Sequence, residues 1–158
     1  MAGALSEIWS AHVRTPDHAP IPRRKNPRIL LQVSSLNPVS RAQAARLKAV
    51  FSDVVVLLTP AEPGDRVKIA ESLARDFVAT VEREQWDVLG LIGGDGARAT
   101  LAQLGASGIR VVGSLLEGVP FGIVVGGKAD GIPVFTKAGG FGGEDALVRC
   151  VERMSHER

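Results

Sequence analysis

Three segments combine glycine, hydroxyl or charged residues between an apolar run and a helix-like run: Ser34–Pro38 (SSLNP), Gly93–Gly96 (GGDG) and Lys137–Gly143 (KAGGFGG). The third is the richest, with Gly139, Gly140, Gly142 and Gly143 set around Phe141. Glycine loses more conformational entropy on folding than any other residue, so crowding it before a helix predicts a need for bare backbone or positive φ. A helix N-terminus presents unpaired N–H groups and about half a positive charge. Glycines ahead of it let those groups close on an anion as a nest. Lys137 adds a full positive charge beside it. The chemistry that needs this set is phosphate binding. Glu144 and Asp145 would repel a phosphate, so they are expected to face away and to stabilise the helix start by charge and capping.

Two other matches compete. GIVVGGKA (Gly122–Ala129) nearly spells a P-loop, but Ala129 cannot bind Mg2+ and the following DGIP cannot begin a long helix. Gly126-Gly127 and Asp130-Gly131 are expected as turns. GDGARA (Gly94–Ala99) fits the dinucleotide fingerprint, with Glu117 about 20 residues further on as a ribose-binding acid. A dinucleotide-binding domain is therefore one alternative.

The elements that must position these loops are legible as short apolar runs. RILLQV (Arg28–Val33), DVVVLL (Asp53–Leu58) and WDVLGLI (Trp86–Ile92) lack strict alternation and read as parallel strands buried on both faces. IRVV (Ile109–Val112), FGIVV (Phe121–Val125) and IPVF (Ile132–Phe135) are weaker strands. Asn37 is an N-cap with Pro38 opening a helix; Asp65–Glu84 carries one apolar stripe; Ala97–Leu104 and Gly143–Met154 make two more helices. Strands alternating with helices predict an α/β fold: three layers, a mostly parallel sheet with helices on both faces, Rossmann-like. Ligands of such sheets bind in the strand-to-helix loops, where all three glycine or serine segments fall.

Residues 1–26 read as a leader, in which Leu5–Val13 could make a short helix before Pro16, Pro20, Pro22 and Pro27 break any periodicity. The remaining residues, 27–158, make one domain. Net charge is +2, and the cluster Arg23-Arg24-Lys25 lies in this Pro-rich stretch, so it reads as a solvated linker. Tyrosine is absent and aromatics are 4%, which leaves no stacking platform for single strands; no nucleic-acid partner is expected. The lone Cys150 precludes an intramolecular disulfide and fits a reducing compartment. His12, His18 and His156 all lie in the tails, so no metal site is expected. No membrane partner is expected either: no run reaches 18 apolar residues and no signal-peptide pattern opens the chain. A cytoplasmic domain is the expectation.

The ordered series VSSLNPVSRAQ, IGGDGARATLAQLG, GIRVVGSLLEGVPFG and GIPVFTKAGGFGGEDAL resembles the C-terminal nucleotide-binding domain of the four-carbon acid sugar kinases, which include threonate, erythronate and 3-oxo-tetronate kinases. The resemblance covers nearly everything from Arg28 onward. It implies ATP and Mg2+ as cofactors and transfer of the γ-phosphoryl group to a sugar-acid hydroxyl. Ser35 matches the serine of the first loop, and Gly93, Gly94 and Asp95 match an element near the phosphates. Gly118, Val119 and Pro120 match a turn beside the adenosine, and Lys137, Gly139, Gly140, Phe141 and Gly142 match a loop implied to contact the nucleotide.

In this family an N-terminal domain with a D-D-x-T-G signature binds the acid sugar and is implied to hold the catalytic base. Nothing like that signature occurs here. The chain is therefore expected to be the ATP-binding half, inactive alone, with residues 1–26 at the interdomain junction and the sugar-acid domain, or a separate subunit, as partner. Apolar surface left by a missing domain makes homo-oligomerisation an expectation. Where the family commonly has Gly, Ser and Thr this chain has Ser34, Asn37 and Gly96, and Ala138 replaces a serine. Those departures keep open a non-catalytic relic or regulatory nucleotide-binding module.

Overall fold

A computed structural model describes residues 25–60 and 64–155. Residues 1–24 of the leader, with the short helix expected there, and the three histidines lie outside them. The strands are β1 (Ile29–Val33), β2 (Val55–Leu58), β3 (Val88–Ile92), β4 (Gly108–Leu116), β5 (Val119–Val125) and β6 (Pro133–Lys137). The helices are α1 (Pro38–Val50), α2 (Arg66–Arg83), α3 (Gly94–Gln103) and α4 (Ala146–Met154). One six-stranded sheet has the order β2-β1-β3-β6-β5-β4. Neighbours pair in parallel from β2 through β6, while β5 is antiparallel to both β6 and β4.

Burial follows from that order. β1 and β3 sit centrally and are buried at every residue, as continuous apolar runs require. On one face Ile29, Leu31 and Val33 pack with Ala44 and Leu47 of α1 and with Leu147, Val151 and Met154 of α4. On the other, Leu30, Leu89 and Leu91 pack with Phe77, Val78 and Val81 of α2. The three-layer α/β architecture expected from the sequence is the one observed.

Local signals placed the helix starts where side chains do the capping. The Asn37 side-chain oxygen Oδ1 accepts from Val39 N–H at 2.9 Å and Pro38 fills the first turn. Asp65 accepts from Val67 and Lys68 N–H groups at 2.9 and 3.4 Å. Glycine-rich starts misled the reading in both directions. α3 begins at Gly94 rather than Ala97, and α4 at Ala146 rather than Gly143. Asp145 caps nothing through its side chain; its Oδ1 accepts from Arg46 Nε of α1 at 3.0 Å.

β4 and β5, expected only as weaker strands of a mostly parallel sheet, form an antiparallel hairpin turning at Glu117-Gly118, with Gly118 at φ +71°. GGKADG makes a short 3₁₀ turn (Gly127–Ala129) after β5, with Lys128 paired to Glu82 at 2.9 Å. Since β5 runs against β6, this turn lies at the edge of the sheet opposite the strand-to-helix loops, and the P-loop likeness is fortuitous. Among the described residues, no helix is long and apolar enough to cross a membrane.

Candidate functional site

An open cleft of about 530 Å3 lies beyond the carboxyl ends of β1, β2, β3 and β6. Its walls bring together Ser35, Gly93, Gly94, Asp95, Gly139 and Gly140 from all three loops singled out in the sequence. Gly93 stands at φ +102° and serves as N-cap of α3 without a side-chain bond. The first intrahelical bond is that from Ala97 N–H to Gly93 C=O, at 3.0 Å. The N–H groups of Gly94, Asp95 and Gly96 are thus the orphan donors of a helix start that opens on the cleft.

The β1–α1 and β6–α4 loops touch through bare backbone. A Cβ on Gly139 would lie 2.6 Å from Ser35 Cβ and nearer still to its hydroxyl, so only glycine allows the approach. Ser40 of α1, fully buried, donates its hydroxyl to the Gly139 carbonyl. Gln43 Nε2, one turn on, lies 2.8–3.1 Å from the carbonyls of Phe141, Gly142 and Gly143.

Lys137 departs from its expected place. Its side chain does not line the cleft but runs beneath the loop, 3% exposed, and Nζ donates to the carbonyls of Ala138, Gly139 and Phe141 at 2.8, 3.2 and 2.7 Å. Burial pulls its pKa below the ordinary lysine value. Cys150 of α4 is fully buried nearby, and burial pushes its thiol up to about 12. A thiol kept protonated by the fold contributes stability that is present below its ordinary value of 9.0 and lost as pH rises toward 12. Native protein is therefore expected not to react with a disulfide reagent at pH 8 and to react fully in denaturant. The stability advantage of the wild type over Cys150→Ala should shrink above pH 9, as read by urea unfolding at several pH values.

Phe141 and Gly142 face a second hollow with Glu117 at its rim. Phe141 is 43% exposed and its ring lies against the hairpin turn, 2.6 Å from where a Gly118 Cβ would stand. Gly118 is thus a packing position, and Pro120 is an exposed strand residue paired across from Ser114, in neither hollow. Glu117, in the β4–β5 turn, is two to three strands removed from β3, or about 10–14 Å at the usual spacing. The strand following α3 is not β3's neighbour, so the dinucleotide reading loses both its adjacent βαβ unit and its acid.

The sequence reading missed Thr59, Leu36, Arg66 and Ile69, which complete the cleft. Arg66 opens α2 just past the end of β2, so the rule that placed the other loops would have found it. The β2–α2 loop lacks the glycines that drew attention to its neighbours.

Comparisons with known proteins show the family and the fold. A family model described as the nucleotide-binding C-terminal domain matches residues 59–147, more than half of the chain. A D-threonate kinase of Bordetella bronchiseptica is 53% identical over 66 residues, 42% of this chain and 16% of that protein. A D-threonate kinase of Salmonella typhimurium is 40% identical over 80 residues, 51% of this chain and 19% of that protein. A solved structure from B. bronchiseptica, described as a domain of unknown function with bound citrate and a domain-swapped dimer, superposes with a TM-score of 0.75 at 30% identity. It covers 84% of this chain and 42% of that one, so the chain spans less than half of the solved relative.

Proposed function

Because the chain belongs to the family of nucleotide-binding C-terminal domains, we propose that it is the ATP-binding half of a four-carbon acid sugar kinase. One observation carries this reading: the orphan N–H groups of the α3 start and the glycine backbone of the β6–α4 loop line the same cleft. Two backbone anion sites on one cavity suit a polyphosphate better than a single carboxylate. Leu36 and Ile69 supply an apolar wall for the base, and Arg66 faces the phosphates across the cleft.

Phosphoryl transfer asks the protein mainly for positioning and for neutralising charge on the transferred group. The amides of Gly94, Asp95, Gly96, Gly139 and Gly140 hold the phosphate chain in this reading. The Asp95 carboxylate on the cleft wall fits Mg2+, which is bound through one or two carboxylates together with substrate phosphates. Held there, the ion would supply positive charge to offset that of the phosphates. The acid sugar and the catalytic base come from a substrate-binding domain, on the same or another polypeptide. Self-association is proposed through the outer edge of β4, where Val111 is 59% exposed.

Calorimetric titration with ADP and ATP, with and without Mg2+, tests the reading. Both nucleotides are expected to bind, and Asp95→Asn is expected to remove the Mg2+ enhancement while leaving metal-free binding. No binding at millimolar nucleotide would overturn it. Turnover of a tetronate by the isolated chain would overturn the half-enzyme assignment.

A further inference from the structure

The β6–α4 loop carries its carbonyls inward. Those of Ala138, Gly139 and Phe141 accept from Lys137, those of Phe141, Gly142 and Gly143 from Gln43, and that of Gly139 from Ser40 as well. All three donors are buried and stand on β6 and α1, beneath the loop. The described peptide bonds are all trans. A planar trans peptide points the N–H of the next residue opposite to the carbonyl. Inward carbonyls at 138, 139 and 141–143 therefore turn the amides of 139, 140 and 142–144 outward, and the first two open on the main cleft.

Resting on the nucleotide reading above, we propose that Lys137 and Gln43 are positioning residues that shape this loop into a nest, and that Lys137 does not itself touch the phosphate. An ammonium has three protons, and Lys137 has three carbonyls within bonding distance, so no donor is left for a ligand. Gln43 supports the same picture from the other side. Its Oε1 is buried without a hydrogen-bond partner among the described residues, so the side chain acts wholly through its donor end. Turned over, the amide would set its oxygen against three carbonyls.

The test uses tripolyphosphate and ADP with the full chain. In wild-type protein labelled with 15N, the Lys137 Nζ signal is expected to stay in place on titration while the Gly139 and Gly140 amides shift. In Lys137→Met and Gln43→Glu, measured well below their melting temperatures, amides 139–144 should shift and exchange faster before any ligand is added. Affinity should fall tenfold or more in both, and in Lys137→Met the dependence of log Kd on log salt should be unchanged, because no charge contact has been lost. Movement of the Nζ signal with ligand, a shallower salt dependence in Lys137→Met, or wild-type affinity in both variants would overturn the proposal. If wild-type protein bound neither probe the nucleotide reading would fail, whereas the exchange of amides 139–144 in the unliganded variants would still decide whether the two side chains shape the loop.

Discussion

Gly139→Val is expected to abolish measurable nucleotide binding while leaving the fold intact. The added side chain would have to share space with Ser35, whose Cβ lies 2.6 Å from the new Cβ, and with the Ser40 hydroxyl at 3.3 Å. Both neighbours are anchored: Ser40 is buried in α1, and Ser35 Oγ accepts from the Asn37 N–H at 3.2 Å. The loop must therefore move away, and its amides leave the cleft. Hydrogen bonds to a charged group are worth about 1.5–3 kcal/mol each. Losing two corresponds to a weakening of about 100-fold or more at 1.4 kcal/mol per decade. The matched control is Gly143→Ala, four residues on, where a Cβ would meet nothing within 4 Å. Calorimetry should show it binding like wild type, and circular dichroism should show both variants folded. Equal losses in the two would refute the close-approach account.

A larger effect on stability is expected from Gly96→Thr. A Cβ at position 96 would overlap Ser34 and lie 2.8 Å from Gln32 Nε2. Gln32 is buried and its Oε1 accepts from the Thr100 hydroxyl, so the intrusion would strain a polar pair inside the core. Overpacking costs about 1–3 kcal/mol, and disturbing the buried pair places the expected loss at the upper end. At about 2–4 °C per kcal/mol for a chain of this size, melting should fall by roughly 6–12 °C. Ser34→Gly should reverse most of that loss when combined with Gly96→Thr, although alone it removes a hydroxyl donor to the Ile92 carbonyl at 3.0 Å. A coupling energy of about 1–3 kcal/mol in the double-mutant cycle would make the two positions one packing unit. Ser34 and Gly96 thus share one small volume that admits a side chain at only one of the two. Additive losses would rule that out.

The sequence disclosed what depends on local chemistry. Asn37 announced one helix because its side chain bonds the first turn, the apolar stripe of Asp65–Glu84 announced another, and the buried strands β1 and β3 announced themselves because both faces need apolar residues. The hairpin was hidden because β4 is an edge strand, where Arg110, Gly113 and Ser114 interrupt the apolar pattern, and because Glu-Gly is a weak hairpin signal beside Asn-Gly or Asp-Gly. Six of the twelve residues carried over from the resemblance share the cleft, since strand-to-helix loops in a parallel sheet converge whatever their sequence. Lys137 was misplaced for a different reason. Sequence gives the charge of a lysine but not its direction, and an odd-numbered step along β6 decides whether Nζ meets solvent or the loop's own carbonyls. Gln43 was passed over because a glutamine on a helix has no local signature; its role exists only across 98–100 residues of chain.

β6 is the last strand made, yet it lies between β3 and β5. During synthesis the chain upstream of it can build only β2-β1-β3 and the separate β4–β5 hairpin. The polar stripe Ser40, Gln43 and Arg46 on α1 must meanwhile wait for residues 139–145. The pocket is therefore complete only after β6 and the loop that follows it have been made. A polypeptide released before Pro133 would lack the keystone of the sheet together with the loop that closes the cleft, so such partial products would be inert toward nucleotide.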